Sequence, residues 1–118
     1  MRRVLIVEDE ALVALEIEEA LTDAGFAVAG VFGSTEDALG FLKDGSADVA
    51  VLDANLRGRS VAPVAERLGE LRIPFVAISG YSADQLGPWL GGAPLLGKPF
   101  DEERLVAEVA RAARAGSG

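Results

Sequence analysis

The chain has 118 residues, of which 50% are hydrophobic and 25% charged, so it is long enough for one packed domain and too hydrophobic for a disordered segment. It contains no cysteine and no histidine, which excludes disulfides, thiolate nucleophiles, imidazole bases and the usual zinc sites. The formal net charge of −8 disfavours nonspecific attraction to nucleic acid or anionic membranes and is compatible with a divalent cation as a partner.

The hydrophobic runs are short. Runs such as 49–52 and 75–78 have four residues and the longest, at 11–15, has five, whereas a membrane-spanning helix needs about 20. The run at 4–7 is too short for the core of a signal peptide and is followed by acids rather than by a cleavage site. We therefore expect a cytoplasmic protein that makes no contact with a membrane.

The first part of the chain predicts two units, each a strand followed by a helix. The run at 4–7 is rich in β-branched residues and is typical of a strand buried on both faces in a parallel sheet. Apolar residues then recur at helical spacing from Ala11 to a C-terminal cap at Gly25. The segment 26–32 predicts a second strand, and Ser34 is placed to cap the next helix.

Three more strands follow at 49–52, 74–78 and, more weakly, 94–97. Apolar residues between 61 and 71 predict the helix after the third strand, whereas glycines and prolines limit the next helix to one or two turns within 82–86. A last helix begins at the acids 101–103. We expect fraying from residue 115, and hence a domain at 1–115 and a flexible tail at 116–118.

Five alternating units of this kind predict an α/β fold with a parallel sheet covered by helices on both faces. A closed barrel would need eight units, so the sheet is expected to be open. Ligands bind to such sheets beside the carboxyl ends of the strands. The polar residues at those predicted ends are Glu8, Asp9, Asp53, Ser79 and Lys98.

These five residues predict a site for phosphoryl chemistry. Two carboxylates about 4 Å apart repel by about 4 kcal/mol at an effective dielectric near 20, and a hard cation such as Mg²⁺ would compensate. The hydroxyl of Ser79 and the ammonium of Lys98 are complementary to a phosphoryl group. Asp53 follows a strand expected at the centre of the sheet and is the best candidate for a nucleophile that forms an aspartyl phosphate.

The motifs at these strand ends resemble those of the receiver domains of two-component response regulators. They are Val-Glu-Asp-Glu after the first strand, Leu-Asp after the third, Ser-Gly after the fourth and Lys-Pro-Phe after the fifth, and the resemblance covers essentially the whole chain. It implies a flavodoxin-like (βα)5 fold with strand order 2-1-3-4-5.

The resemblance also implies the role of each acid. Asp53 would be the phosphoacceptor and a ligand of Mg²⁺. Asp9 would be a direct ligand, Glu8 would bind through water, and Asn55 would contribute its backbone carbonyl. The protein would not be an enzyme beyond Mg²⁺-dependent self-phosphorylation and self-dephosphorylation.

Further implied roles concern the phosphoryl group and the response to it. Ser79 and Lys98 would donate hydrogen bonds to the phosphoryl oxygens, and the peptide bond before Pro99 would be cis. The family commonly has an aromatic residue where this chain has Leu95, so the usual coupling of the hydroxyl to an aromatic ring cannot operate in the same way. We therefore expect Tyr81 and the segment up to residue 92 to form the switch, and the partner surface to include this segment, the fifth strand and the last helix.

Two other departures from the common pattern are visible. Arg57 and Gly58 stand where the family often has a proline four residues after the phosphoacceptor. The segment 74–81 is similar to the Phe-Ala-Thr-Gly-X-Tyr subgroup, whose members are often stand-alone and paired with atypical histidine kinases. Ile78 and Ser79 take its Ala and Thr places, and Tyr81 comes one residue early.

The partners implied are a sensor histidine kinase and either a downstream protein or an output domain, with the chain a monomer or weak dimer. Two other functions use some of the same residue types. A phosphotransfer hydrolase of the haloacid dehalogenase type also uses a strand-end aspartate and Mg²⁺, but it needs a second acid where Asn55 stands. A receiver-like scaffold that is never phosphorylated is disfavoured by the complete set of five site residues.

Overall fold

Five parallel strands form one open sheet in the computed structural model, which describes residues 2–117, apart from the side chains of residues 83, 116 and 117. The strands are β1 (Arg3–Val7), β2 (Ala27–Phe32), β3 (Val49–Asp53), β4 (Phe75–Ser79) and β5 (Leu95–Gly97). Neighbours pair in the order β2-β1-β3-β4-β5, and each of these pairs is parallel. The predicted flavodoxin-like sheet with order 2-1-3-4-5 is confirmed.

Helices cover both faces of this sheet. They are α1 (Ala11–Asp23), α2 (Thr35–Asp44), α3 (Ala62–Glu70), α4 (Ala83–Leu86) and α5 (Glu102–Ser117). Ile17 of α1 and Leu105 of α5 belong to one buried cluster, and Leu42 of α2 and Leu68 of α3 belong to another. Alternate side chains of β1 and β3 enter the two clusters, which is why these strands are apolar without a break.

Local sequence signals set the predicted ends of the first two helices. Gly25 follows α1 with a φ of 98°, a conformation that strains residues with a β-carbon. The Ser34 hydroxyl caps α2 by accepting a hydrogen bond from the amide of Asp37 at 3.1 Å. Both predicted signals are confirmed.

The connection between β4 and β5 contains little regular structure, as its glycines and prolines predict. Helix α4 has four residues and begins with a capping box between Ser82 and Gln85. Gly87, with a φ of 102°, ends it, and a short 3₁₀ helix follows at Pro88–Leu90. Trp89 of this 3₁₀ helix stacks on Phe75, with ring centroids 6.2 Å apart.

A small hairpin after β3 has no counterpart in the sequence prediction. Asn55–Leu56 pairs antiparallel with Arg59–Ser60. Both residues between them have positive φ, 53° at Arg57 and 83° at Gly58, as in the two-residue turns that join twisted strands. Two-residue strands are too short to show a hydrophobic period, so the pattern could not predict them.

The last helix, α5, extends to Ser117, and its last turns consist largely of alanine and arginine, which favour helix. The flexible tail expected at 116–118 stays a prediction, and Gly118 lies outside the described residues. No helix in the described part of the chain combines the length and apolar character needed to cross a membrane.

Candidate functional site

The carboxyl ends of four neighbouring strands bring the predicted site residues together. Glu8 and Asp9 follow β1, Asp53 is the last residue of β3, Ser79 is the last residue of β4, and Lys98 follows β5. Backbone hydrogen bonds fasten these ends to one another. The amide of Lys98 donates to the carbonyl of Ser79 at 2.9 Å.

Lys98 joins the two buried acids. Its Nζ donates to Asp53 Oδ2 at 3.1 Å and lies 3.4 Å from Glu8 Oε1. Only 3% of the surface of Glu8 and 3% of that of Asp53 is exposed, so the ammonium neutralises charge that water hardly reaches. Burial lowers the pKa of Lys98, but the hydrogen bond to Asp53 and the charges of Asp53 and Glu8 outweigh it and raise this pKa above its ordinary value.

Glu8 holds its proton unusually tightly. Burial, together with the neighbouring Asp53 carboxylate, raises the pKa of Glu8 from 4.5 to about 7, against the opposing effects of the Glu10 amide and the Lys98 charge. The Glu10 amide donates to Glu8 Oε2 at 3.1 Å, whereas the buried Oε1 atom has no hydrogen-bond partner among the described residues. The hydrogen-bond donors of the site therefore do not satisfy all of its carboxylate oxygens.

This excess of carboxylate fits a hard divalent cation. Glu8, Asp9 and Asp53 each offer an oxygen, and these oxygens lie within 4.8 Å of one another. Carboxylate oxygens are the ligands that Mg²⁺ prefers in proteins. Asn55 lies beside them, with its amide donating to Asp53 Oδ1 at 3.2 Å. Its side-chain oxygen accepts a hydrogen bond from the Gly58 amide at 2.7 Å.

Ser79 is buried at the end of β4, and its hydroxyl contacts the segment that the sequence predicts to be the switch. Its Oγ accepts a hydrogen bond from the amide of Tyr81 at 2.8 Å, so Tyr81 is joined to the site through its backbone. The Tyr81 side chain is 52% exposed. Leu95 is half-buried and pairs with Ala77 in the sheet. The Lys98–Pro99 peptide bond is cis, as the resemblance implied.

One residue at the site is missing from the sequence prediction. Arg57 Nε lies 3.4 Å from Asp9 Oδ2. In the sequence, Arg57 is notable only because it stands where the family often has a proline. Its approach to Asp9 depends on the hairpin, which the sequence did not predict. An arginine two residues beyond a candidate metal-binding carbonyl is the signal that could have drawn attention to it.

Comparisons with known proteins agree with this fold. The family model described as the response regulator receiver domain matches residues 4–110. Among curated proteins, the transcriptional regulatory protein DltR of Streptococcus agalactiae is 33% identical over 112 residues, which cover 91% of this chain and 50% of that protein. The chain spans about half the length of the curated relatives it matches.

Solved structures also match along nearly the whole chain. The solution structure of SdrG from Sphingomonas melonis Fr1 is 36% identical with a TM-score of 0.82, and the match covers 97% of each chain. The response regulator receiver protein from Sinorhizobium medicae WSM419 is 33% identical with a TM-score of 0.83 and is covered to 96%, against 98% of this chain. The fold thus has close parallels among solved structures.

Proposed function

The chain belongs to the family of response regulator receiver domains, and on that premise we propose that Asp53 accepts a phosphoryl group from a histidine kinase. The observation that carries the proposal is the contact of Lys98 Nζ with Asp53 Oδ2 at 3.1 Å. An ammonium fixed beside a buried carboxylate is placed to donate a hydrogen bond to a phosphoryl group once that group is attached to the carboxylate.

The transfer needs few groups from the protein. A carboxylate oxygen of Asp53 attacks the phosphorus of a phosphohistidine; the new O–P bond forms as the P–N bond breaks, and the bonding electrons return to the imidazole nitrogen. Lys98 then donates to a phosphoryl oxygen instead of to the free carboxylate. Ser79 Oγ already accepts from the Tyr81 amide, which leaves its hydroxyl hydrogen to donate to another phosphoryl oxygen.

Three acids and a carbonyl are the groups proposed to hold Mg²⁺. Asp9 and Asp53 would bind it directly, with the backbone carbonyl of Asn55, and Glu8 would bind through water. The bound cation would supply positive charge against the phosphoryl oxygens. The proximity of the three carboxylates supports this assignment, as does Glu8 Oε1, which lies 3.4 Å from Lys98 Nζ but accepts no hydrogen bond among the described residues.

The proposed switch is the segment from Ser79 to Gly92. When Ser79 turns toward the phosphoryl group, the Tyr81 amide moves with it, because the two are hydrogen-bonded. Tyr81 is already half exposed, so little packing opposes its movement. Leu95 is smaller than the aromatic residue that is common at this position. It would adjust to the movement of this segment but would not signal that movement by turning an aromatic ring inward. The surface offered to a downstream partner would comprise this segment, β5 and α5.

The decisive experiment measures phosphate uptake at Asp53. The protein is incubated with acetyl phosphate and Mg²⁺, and intact mass is recorded before and after acid treatment. We expect one acid-labile phosphoryl group on the wild type and none on Asp53→Asn. The matched control is Asp44→Asn, the same chemical change at an exposed residue near the end of α2. Uptake by Asp53→Asn at the wild-type rate would refute the assignment.

A further inference from the structure

The hairpin after β3 directs a guanidinium at one of the acids proposed to bind metal. Arg57 Nε lies 3.4 Å from Asp9 Oδ2, and the Arg57 side chain is 82% exposed, against 10% for that of Asp9. The ion pair therefore lies at the mouth of the site, with Arg57 on the solvent side and Asp9 on the inner side.

The backbone keeps Arg57 in this position. Its φ of 53° is in the left-handed region, where a residue with a β-carbon is strained relative to glycine. The strain is held by the hairpin, in which Leu56 pairs with Arg59 and Asn55 Oδ1 accepts from the Gly58 amide at 2.7 Å. Strained residues of this kind concentrate at functional sites.

Arg57 completes the pairing of charges in the site. Lys98 contacts Glu8 and Asp53, and Arg57 contacts the third acid, Asp9. Each carboxylate of the proposed metal site thus has a cationic side chain beside it. A divalent cation that binds Asp9 must compete with the guanidinium for the same carboxylate.

We propose that Arg57 is an internal competitor of the divalent cation at Asp9 and sets the affinity of the site for free Mg²⁺. This inference rests on the proposed function, because it concerns the same metal site. When a cation binds Asp9, the guanidinium gives up its contact, and its high exposure lets it turn into solvent without disturbing the core. Arg57 is a positioning residue, since it acts through Asp9.

The expected effect is modest because the Arg57 guanidinium is largely exposed, so water screens its attraction to Asp9. Ion pairs screened in this way have small free energies, which correspond here to an affinity change of about two- to fivefold. Replacing Arg57 by an uncharged residue should therefore tighten Mg²⁺ binding by about that factor. Because salt screens exposed charges, the difference from the wild type should narrow as KCl is raised.

The experiment titrates the metal-free protein with Mg²⁺ at low salt and follows backbone amide shifts by NMR. It compares the wild type with Arg57→Gln, which removes the charge, and with Arg57→Lys, which keeps it. The matched control is Arg59→Gln, because Arg59 lies on the same hairpin but pairs with Glu36 at 2.7 Å. We expect tighter binding in Arg57→Gln alone, with Arg57→Lys and Arg59→Gln within twofold of the wild type.

Each other outcome has a definite meaning. Unchanged or weaker binding in Arg57→Gln, or tightening in Arg57→Lys equal to that in Arg57→Gln, overturns the role of the Arg57 charge while leaving the metal site intact. A wild-type protein whose amides do not respond to Mg²⁺ at all instead overturns the proposed metal site.

Discussion

The two halves of the sheet support the site to different degrees. β1 and β3 are buried on both faces, and the acids lie at or directly after their ends. β4 and β5 end in Ser79 and Lys98, but a connection with only a four-residue helix and a 3₁₀ helix joins them, and Tyr81 lies exposed on it. The acids thus lie on well-packed strands. Ser79 and Lys98, which would contact a phosphoryl group, border a weakly packed segment.

A pair of truncations should show this difference as stability. Leu52 of β3 is fully buried, so Leu52→Ala should reduce the free energy of unfolding by about 2–5 kcal/mol. Leu86 of α4 is half-buried, and Leu86→Ala should cost below about 1 kcal/mol. Urea unfolding followed by circular dichroism measures both. Equal losses would mean that the β4–β5 connection is packed as firmly as the centre of the sheet.

Lys98 links the two halves, because it reaches from the end of β5 to the acids after β1 and β3. Lys98→Met should leave Glu8 and Asp53 without their cation and reduce the unfolding free energy by about 1–3 kcal/mol near neutral pH. The other lysine of the chain, Lys43, is exposed near the end of α2. Lys43→Met is therefore the control, and the same urea experiment should find it close to the wild type.

The pH dependence of stability should isolate Glu8. Its pKa is raised to about 7 in the folded state, so the folded protein binds this proton more tightly than the unfolded chain does. The resulting stability is complete below the ordinary value of 4.5 and is lost as pH rises through about 7. The raised pKa of Lys98 acts only above 10.5, outside this window.

Metal-free wild type should therefore lose stability relative to Glu8→Gln between about pH 5 and about pH 8. Urea titrations in the presence of a chelator measure this difference. Excess Mg²⁺ should reduce it, because a cation favours the charged carboxylate. Parallel curves for the two proteins would show that Glu8 titrates normally in the folded state.

The smallest effect expected is a local rearrangement without unfolding. Binding of beryllofluoride with Mg²⁺, as an analogue of the phosphoryl group, should shift amide NMR signals most within Ser79–Gly92. The strands β1 and β3 should change little beyond the residues that contact the ligand. Shifts confined to the metal-binding loops, with the Tyr81 amide unmoved, would contradict the proposed switch.

The sequence was sufficient to predict the sheet and the convergence of its polar ends. Strands buried on both faces must be apolar without a break, so the acids after residues 7 and 52 stand out clearly. In a parallel sheet such ends share one edge, whatever the loops between them do.

Other features depended on local geometry that no periodic pattern encodes. Glu8 was expected near the metal, but its deep burial and raised pKa arise from how the turn after β1 folds over Lys98 and Asp53. The ion pair between Arg57 and Asp9 requires the left-handed backbone of a turn between two-residue strands.

The fluorescence of the single tryptophan is sensitive to one defined region of the protein. Trp89 stacks on Phe75, the first residue of β4, whereas Ser79 is the last. Four steps of about 3.3 Å separate those ends by about 13 Å, so a ligand at Asp53 lies too far away to quench the indole by contact. Because Trp89 shares its connection with Tyr81, a change in its emission on phosphorylation would register motion passed along that connection to the opposite end of the sheet.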